Sequence, residues 1–133
     1  MIKIAWDDTQ TSTDSITFTE WNNMVTFVKG TLTHSTPTEL TIATGVVTAT
    51  KSYHTIDTES DAASDDLDTI NGGSEGMRLV IRAVNSGRTV VVKDATGNIA
   101  CAGDFTMDNV EDTMELIYDG SNWLELSRSG NGA

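Results

Sequence analysis

Between Gly76 and Ser127 short runs of alternating apolar and polar residues follow one another, separated by turn signals: MRLVIRAV then NSG, RTVVVKD then ATG, NIACA, and finally TMELIYD then NWLELS. A period of two sends neighbouring side chains to opposite faces of a strand. Strands recurring about every ten residues, with Gly, Asn or Asp between them, mark an all-β domain. The Asp119-Gly120 pair between the last two runs predicts a two-residue hairpin turn with positive φ at Gly120, since both residues tolerate the left-handed region. In that register Met114, Leu116 and Tyr118 share the buried face, and Trp123 covers one end of the core.

Upstream, ELTIATGVVTAT (Glu39 to Thr50) predicts two short strands about Gly45, and Tyr53 to Ile56 a further one. DDLDTI places Leu67 and Ile70 three apart, which predicts one helical turn with its apolar side on the sheet. Met1 to Trp6 (MIKIAW) alternates like a strand and is followed by the polar, turn-prone DDTQTSTDS. Such a strand on a tether is able to add to a neighbour's sheet edge through Ile2, Ile4 and Trp6, or to lie in the chain's own sheet. Thr17 to Lys29 predicts the single helix: Thr17 or Thr19 caps it, Glu20 favours its positive end, and Trp21, Met24, Val25 and Val28 form one apolar face before Gly30 stops it. That face packs either on its own domain or on another subunit. Residues 31–38 surround the only proline, Pro37, and read as a linker. The organisation expected is therefore an arm, helix and linker over residues 1–38 and a β-rich domain over 39–133. The fold class expected is all-β, a compact antiparallel β sandwich or barrel-like domain with one short N-terminal helix.

Composition narrows the partners. The net charge of -12 and only eight scattered Lys and Arg argue against nucleic acid or an anionic membrane surface, which need clustered cations. An aromatic share of 6% makes the core aliphatic. Abundant Thr suits exposed or intersubunit sheet, because its branched Cβ fits a pleated strand and its hydroxyl keeps the outer face wet. The single cysteine, Cys101, lies in an apolar run and reads as a small core residue, or else as an intersubunit or reactive thiol. No signal peptide or membrane-length apolar run is seen.

The candidate chemistry is sparse. His54, Asp57 and Glu59 are close in sequence, but positions 54 and 57 of a strand face opposite sides, so cation binding would require a turn at Asp57. Asp57 to Glu75 holds seven carboxylates without a Lys or Arg among them. Their type suits Ca²⁺, yet the spaced order of an EF-hand loop is missing, and a solvated acidic surface is the plainer reading. Glycoside cleavage needs a cleft with sugar platforms as well as two carboxyls, and the Trp and Tyr residues are spread too thinly for one. Asn71-Gly72-Gly73-Ser74-Glu75-Gly76 precedes a strand and has no Lys, which excludes a P-loop. No catalytic residue, metal site or cofactor is expected.

The succession YHTIDTES, DDLDTINGG, EGMRLVIRAVNSGRTVVVKDATGNI, CAGDF and ELIYDGSNWLEL resembles a β-rich module of structural proteins of tailed bacterial and archaeal viruses, found in head decorations, head fibres and tail fibres. The resemblance covers Thr44 to Ser127 and rests most on Asp57-Thr58, Leu67 to Ile70, Gly97-Asn98, and Tyr118-Asp119-Gly120 with Trp123. ITFTEWNNMV, from Ile16 to Val25, is similar to the opening phrase of short virion proteins. The resemblance implies a homotrimeric virion component, made in the host cytoplasm, with no catalytic residues to carry over. The chain's length then favours a small capsid decoration (cement) protein bound to the major capsid protein on the outer shell. The alternative is a head or tail fibre protein recognising a host glycan or receptor. Contacts to capsid or to other subunits would run through Ile2, Ile4, Trp6, Trp21, Met24 and Val28.

Overall fold

The computed structural model describes residues 33–132. They form eleven strands: β1 (Thr38–Thr41), β2 (Val46–Thr48), β3 (Tyr53–Asp57), β4 (Ser64–Leu67), β5 (Thr69–Asn71), β6 (Arg78–Ala83), β7 (Thr89–Val92), β8 (Ile99–Ala100), β9 (Phe105–Met107), β10 (Thr113–Tyr118) and β11 (Trp123–Ser129). A single 3-10 turn, Glu59–Asp61, interrupts them. The predicted N-terminal helix and the arm lie outside the described residues.

The strands belong to three sheets, in the orders β1-β3-β6-β10-β11-β8, β2-β5 and β4-β7-β9. The fold is all-β as expected, but its pairing is mixed where an antiparallel arrangement was expected. Five ladders are parallel: β1 with β3, β3 with β6, β2 with β5, β4 with β7, and β8 with β11. Short connections carry the chain from one sheet to the next. When it returns to a sheet it therefore lies beside its earlier pass and runs the same way. Only the last part, β9 to β11, adds antiparallel partners. The turns fall where the sequence signals them, but most pass the chain to another sheet, and only the Asp119-Gly120 signal closes the hairpin expected of it.

Thr44-Gly45 shows the distinction. Both residues have positive φ, +52° and +76°, and Ala43 and Val46 exchange both backbone hydrogen bonds around them. That is a tight primed turn. Its arms nevertheless part at once, β1 to β3 and β2 to β5. The helical turn expected over DDLDTI is replaced by two strands meeting at a corner. Asp68 alone separates β4 from β5, and its N–H and that of Thr69 both donate to the Gly45 carbonyl at 2.8 and 3.1 Å. Leu67 and Ile70 are both buried despite their odd spacing, because the corner between them turns each inward.

All three sheets contribute to one core, which is aliphatic as the composition requires: Ile56, Leu79, Ile81 and Leu116 from the large sheet, Val47 and Ile70 from the second, Leu67, Val90, Val92 and Met107 from the third. Trp123 is its largest member and is fully buried. Cys101 is half-buried against this core, and burial raises its thiol pKa above the ordinary value.

The closing hairpin keeps the expected facing of its first strand, with Met114 and Leu116 buried and Tyr118 packed at the edge of the core, but not the expected pairing. Tyr118 pairs with Trp123 and Asp119 with Asn122, so the central residues are Gly120 and Ser121 rather than Asp119 and Gly120. Gly120 has φ +98°, and Ser121 is not left-handed, which is the sign pattern of a II′ turn. Asp119 flanks the turn, its Oδ1 accepting the N–H groups of Ser121 and Asn122 at 2.8 and 2.7 Å. These two bonds hold its pKa below the usual value.

Candidate functional surfaces

The six contact residues expected from the sequence, Ile2, Ile4, Trp6, Trp21, Met24 and Val28, all lie outside the described residues. The described domain offers three regions of chemical interest instead: the carboxylate-rich loop, the hairpin end with its aromatic pair, and the outer face of the last strand.

The loop after β3 is an exposed acidic surface, as expected, but it is also tied into the scaffold at its base. Asp57 is buried, and its Oδ2 pairs with Arg88 Nη2 at 2.8 Å, while Nη1 of the same guanidinium reaches Asp61. Arg88 is not foreseeable as the partner because it stands on the far side of three intervening strands. Ser60 and Asp61 both have positive φ, +53° and +58°, a conformation costly outside Gly. The surrounding bonds over-determine it. Glu59 N–H donates to Asp65 Oδ2 at 2.7 Å, Glu59 Oε2 accepts the Thr44 N–H at 3.0 Å, and Thr58 Oγ1 donates to the Ala62 carbonyl at 2.7 Å. The carboxylates of Asp57, Glu59, Asp61 and Asp65 thus each meet an internal N–H donor, on backbone or on Arg88. Among the described residues no group of three or more His, Cys, Asp or Glu is placed to hold a metal ion.

His54 does not join this loop. It is buried, bonded through Nε2 to the N–H groups of Thr50 and Lys51 at 3.0 Å each.

At the hairpin end, Trp123 donates its indole N–H to the Ile70 carbonyl at 2.9 Å and is closed to solvent. The Tyr118 ring lies 5.0 Å from it, centroid to centroid, and a Cβ on Gly73 would come within 2.6 Å of Tyr118 Cγ. Tyr118 therefore packs against Gly73 and, tilted, against Trp123, and is only partly exposed.

Asn98 is the polar residue that sequence reasoning undervalued. Its side chain behaves like a piece of strand: Oδ1 accepts the Ile70 N–H at 2.9 Å and Nδ2 donates to the Ile70 carbonyl at 2.8 Å. Its own carbonyl accepts the Trp123 N–H at 2.8 Å. The preceding Gly97 has to be glycine, since a Cβ there would lie 2.2 Å from the Asp68 carbonyl oxygen. This explains why Leu67 to Ile70, Gly97-Asn98 and Trp123 stand out together along the chain: they are one contact.

On β11 the alternation turns Leu124 and Leu126 outward, at 37% and 47% exposure. Leu126 is the extra residue of a bulge, because Glu115 pairs with Ser127 and Leu116 with Glu125. Glu125 and Arg128 pair with each other beside it, and Arg128 also donates to the Gly103 carbonyl at 2.9 Å and lies over the Phe105 ring.

Comparison with curated proteins and with solved structures finds no match. A family model does match, that of the phage depolymerase C-terminal beta sandwich domain, over residues 38–124. The match starts on the first residue of β1 and ends just inside β11, thereby spanning the whole wound part of the fold and the corner that joins Asp68, Gly97, Asn98 and Trp123. It covers well over half of the chain, and on that ground the protein, an all-β component of the phage structural and tail-fibre type, belongs to the phage depolymerase C-terminal beta sandwich domain family.

Proposed function

We propose that this protein is a non-catalytic structural subunit of a phage tail fibre or tailspike, assembled as a homotrimer. The observation that carries the reading is the family match over the β domain, which concerns the C-terminal β sandwich of depolymerases and no catalytic domain. The chemistry of the described residues agrees with a scaffold: four carboxylates of the acidic segment, Asp57, Glu59, Asp61 and Asp65, are engaged by Arg88 or by backbone N–H groups. Two leucines left on the outer face of β11 supply apolar area for copies of the same chain to share. Host glycan or receptor binding is not assigned to the hairpin end, where Trp123 is closed off and Tyr118 is packed against Gly73 and Trp123.

Decoration of the capsid, with the major capsid protein as partner, is the rival placement. Gold-labelled antibody against the purified protein, applied to intact virions, separates the two. Label at the tail is the expected result. Label distributed over the head would reject the fibre reading and favour a cement protein. Light scattering of the purified protein should give three times the chain mass, and a stable monomer at micromolar concentration would refute the trimer.

A further inference from the structure

His54 occupies an unusual position for a titratable side chain. It is fully buried on β3, its Nε2 accepts two backbone N–H groups, those of Thr50 and Lys51, and its Nδ1 lies 2.9 Å from the Thr38 carbonyl oxygen and 3.0 Å from Thr38 Oγ1. With Nε2 accepting, the ring proton belongs on Nδ1, where it donates to Thr38. One neutral imidazole thus fastens the start of edge strand β1 and the turn between β2 and β3 to the large sheet.

The surroundings offer no counter-charge. The residues level with His54 on the flanking strands are Thr38 of β1 and Ile81 of β6. Charged and titratable side chains of the packed elements are engaged elsewhere. Glu39 of β1 is exposed, Lys51 Nζ reaches the Thr36 carbonyl, and Asp57 of β3 is paired with Arg88. Arg78 and Arg82 of β6 bond Glu115 and the Val110 carbonyl, and the His34 ring lies beside Tyr53.

We infer that His54 is an acid-sensitive latch on the edge of the large sheet. A proton taken from solvent onto Nε2 converts the acceptor of two N–H groups into a third donor facing them. Those bonds then break, and the imidazolium is left buried with no counter-charge and only Thr38 as acceptor, which favours swinging the ring into water. The Thr50-Lys51 turn and the start of β1 are released together, exposing the edge of β3. The closed form has no acceptor for the second proton and the open form has water. Opening therefore takes up one proton, and each step toward acid favours the open form over the closed one.

The test is amide hydrogen exchange on the full-length protein, expressed as protection factors so that the pH dependence of intrinsic exchange is removed. Between about pH 6.5 and about pH 4.5, protection at Thr50 and Lys51 should fall about a hundredfold, the tenfold per unit that uptake of one proton on opening requires. Val90 and Met107, on a different sheet, should keep theirs. In His54→Gln, which cannot take up the proton, Thr50 and Lys51 protection should not vary over that range. Unchanged protection in the wild type, or the same pH-dependent loss in His54→Gln, would overturn the inference. Should His54→Gln fail to fold, long-range nitrogen–proton spectra of the wild-type ring decide. Protonation of Nε2 coinciding with the loss of protection supports the latch, and protonation with protection intact refutes it.

Discussion

The closing hairpin and the corner beneath it are built from similar residues, turn-forming Asp, Asn and Gly between apolar runs, but they are held by opposite means. In the hairpin the turn joins strands that pair with each other, and Asp119 supports it by bonding residues two and three places on. In the corner, Gly45, Asp68, Gly97 and Asn98 make their decisive contacts with segments more than twenty residues away. A local turn is specified by its own dipeptide. A corner in a wound fold is specified by what stacks above and below it, and the cost of breaking it reaches a whole neighbouring strand.

The largest expected effect is at the point where both regions meet. Trp123→Ala removes the biggest buried side chain of the core together with its bond to the Ile70 carbonyl. It should cost about 3 to 5 kcal/mol in a denaturant titration. A near-native midpoint with loss of receptor or glycan binding would instead make Trp123 a ligand contact.

Asn98→Ala tests the corner directly. It leaves the buried Ile70 N–H without its acceptor, although the Ile70 carbonyl keeps the Trp123 indole, and should cost about 2 to 3 kcal/mol. Asn98→Asp retains the acceptor but loses the amide donor and places a carboxylate against the Ile70 carbonyl, so it should not rescue the fold. Equal stability of Asn98→Ala and wild type would remove the corner from the account.

Gly120→Val probes the hairpin alone. A β-branched residue at φ +98° strains the turn, but the turn is exposed and has room, so the cost should be about 1 to 2 kcal/mol, smaller than at Asn98. A larger loss than Asn98→Ala would reverse the ranking of the two regions.

The smallest expected effect is pH-dependent and centres on Asp112, which ties the last residues to the turn at Asp108-Asn109. Asp112 is buried, which by itself would raise its pKa. Four backbone N–H groups, from Gly132, Asn109, Asn131 and Asp108, outweigh burial and leave the pKa below the ordinary value. A carboxylate depressed on folding contributes stability that is present above its unfolded pKa, about 3.9, and is lost as pH falls through the folded value. Amide protection at Asn131 and Gly132 should therefore persist at pH 5 and disappear only in stronger acid, whereas Asp112→Ala should abolish it at all pH values. Protection that survives in Asp112→Ala would mean the end of the chain is held by something else.

What the sequence revealed follows the same division. Strands β6, β7, β10 and β11 were legible because alternation and turn residues are local, and Trp123 was correctly read as core. The parallel ladders were not legible. Thr38 pairs with His54, Val46 with Thr69 and Ser64 with Thr89 at irregular spacings, so no fixed repeat betrays the winding. Leu67 and Ile70 imitated a helical turn because a one-residue corner at Asp68 changes the face that each presents. The acidic loop is solvated as the sequence suggests, but its pairing was not legible because Arg88, which meets Asp57 and Asp61, enters from beyond β6. The expected contact residues from Ile2 to Val28 fall outside the described part of the chain and remain proposals.

Central to the account is that turns such as Thr44-Gly45 pass the chain between sheets rather than folding it back into a hairpin. The long-range nuclear Overhauser pattern of the labelled protein tests this most directly. The wound fold predicts backbone contacts between Thr38 and His54, Val47 and Ile70, and Leu67 and Val92, with none across Thr41 and Thr48. A ladder of contacts continuing from Ala43 and Val46 to Thr41 and Thr48, with the three parallel pairs missing, would contradict it.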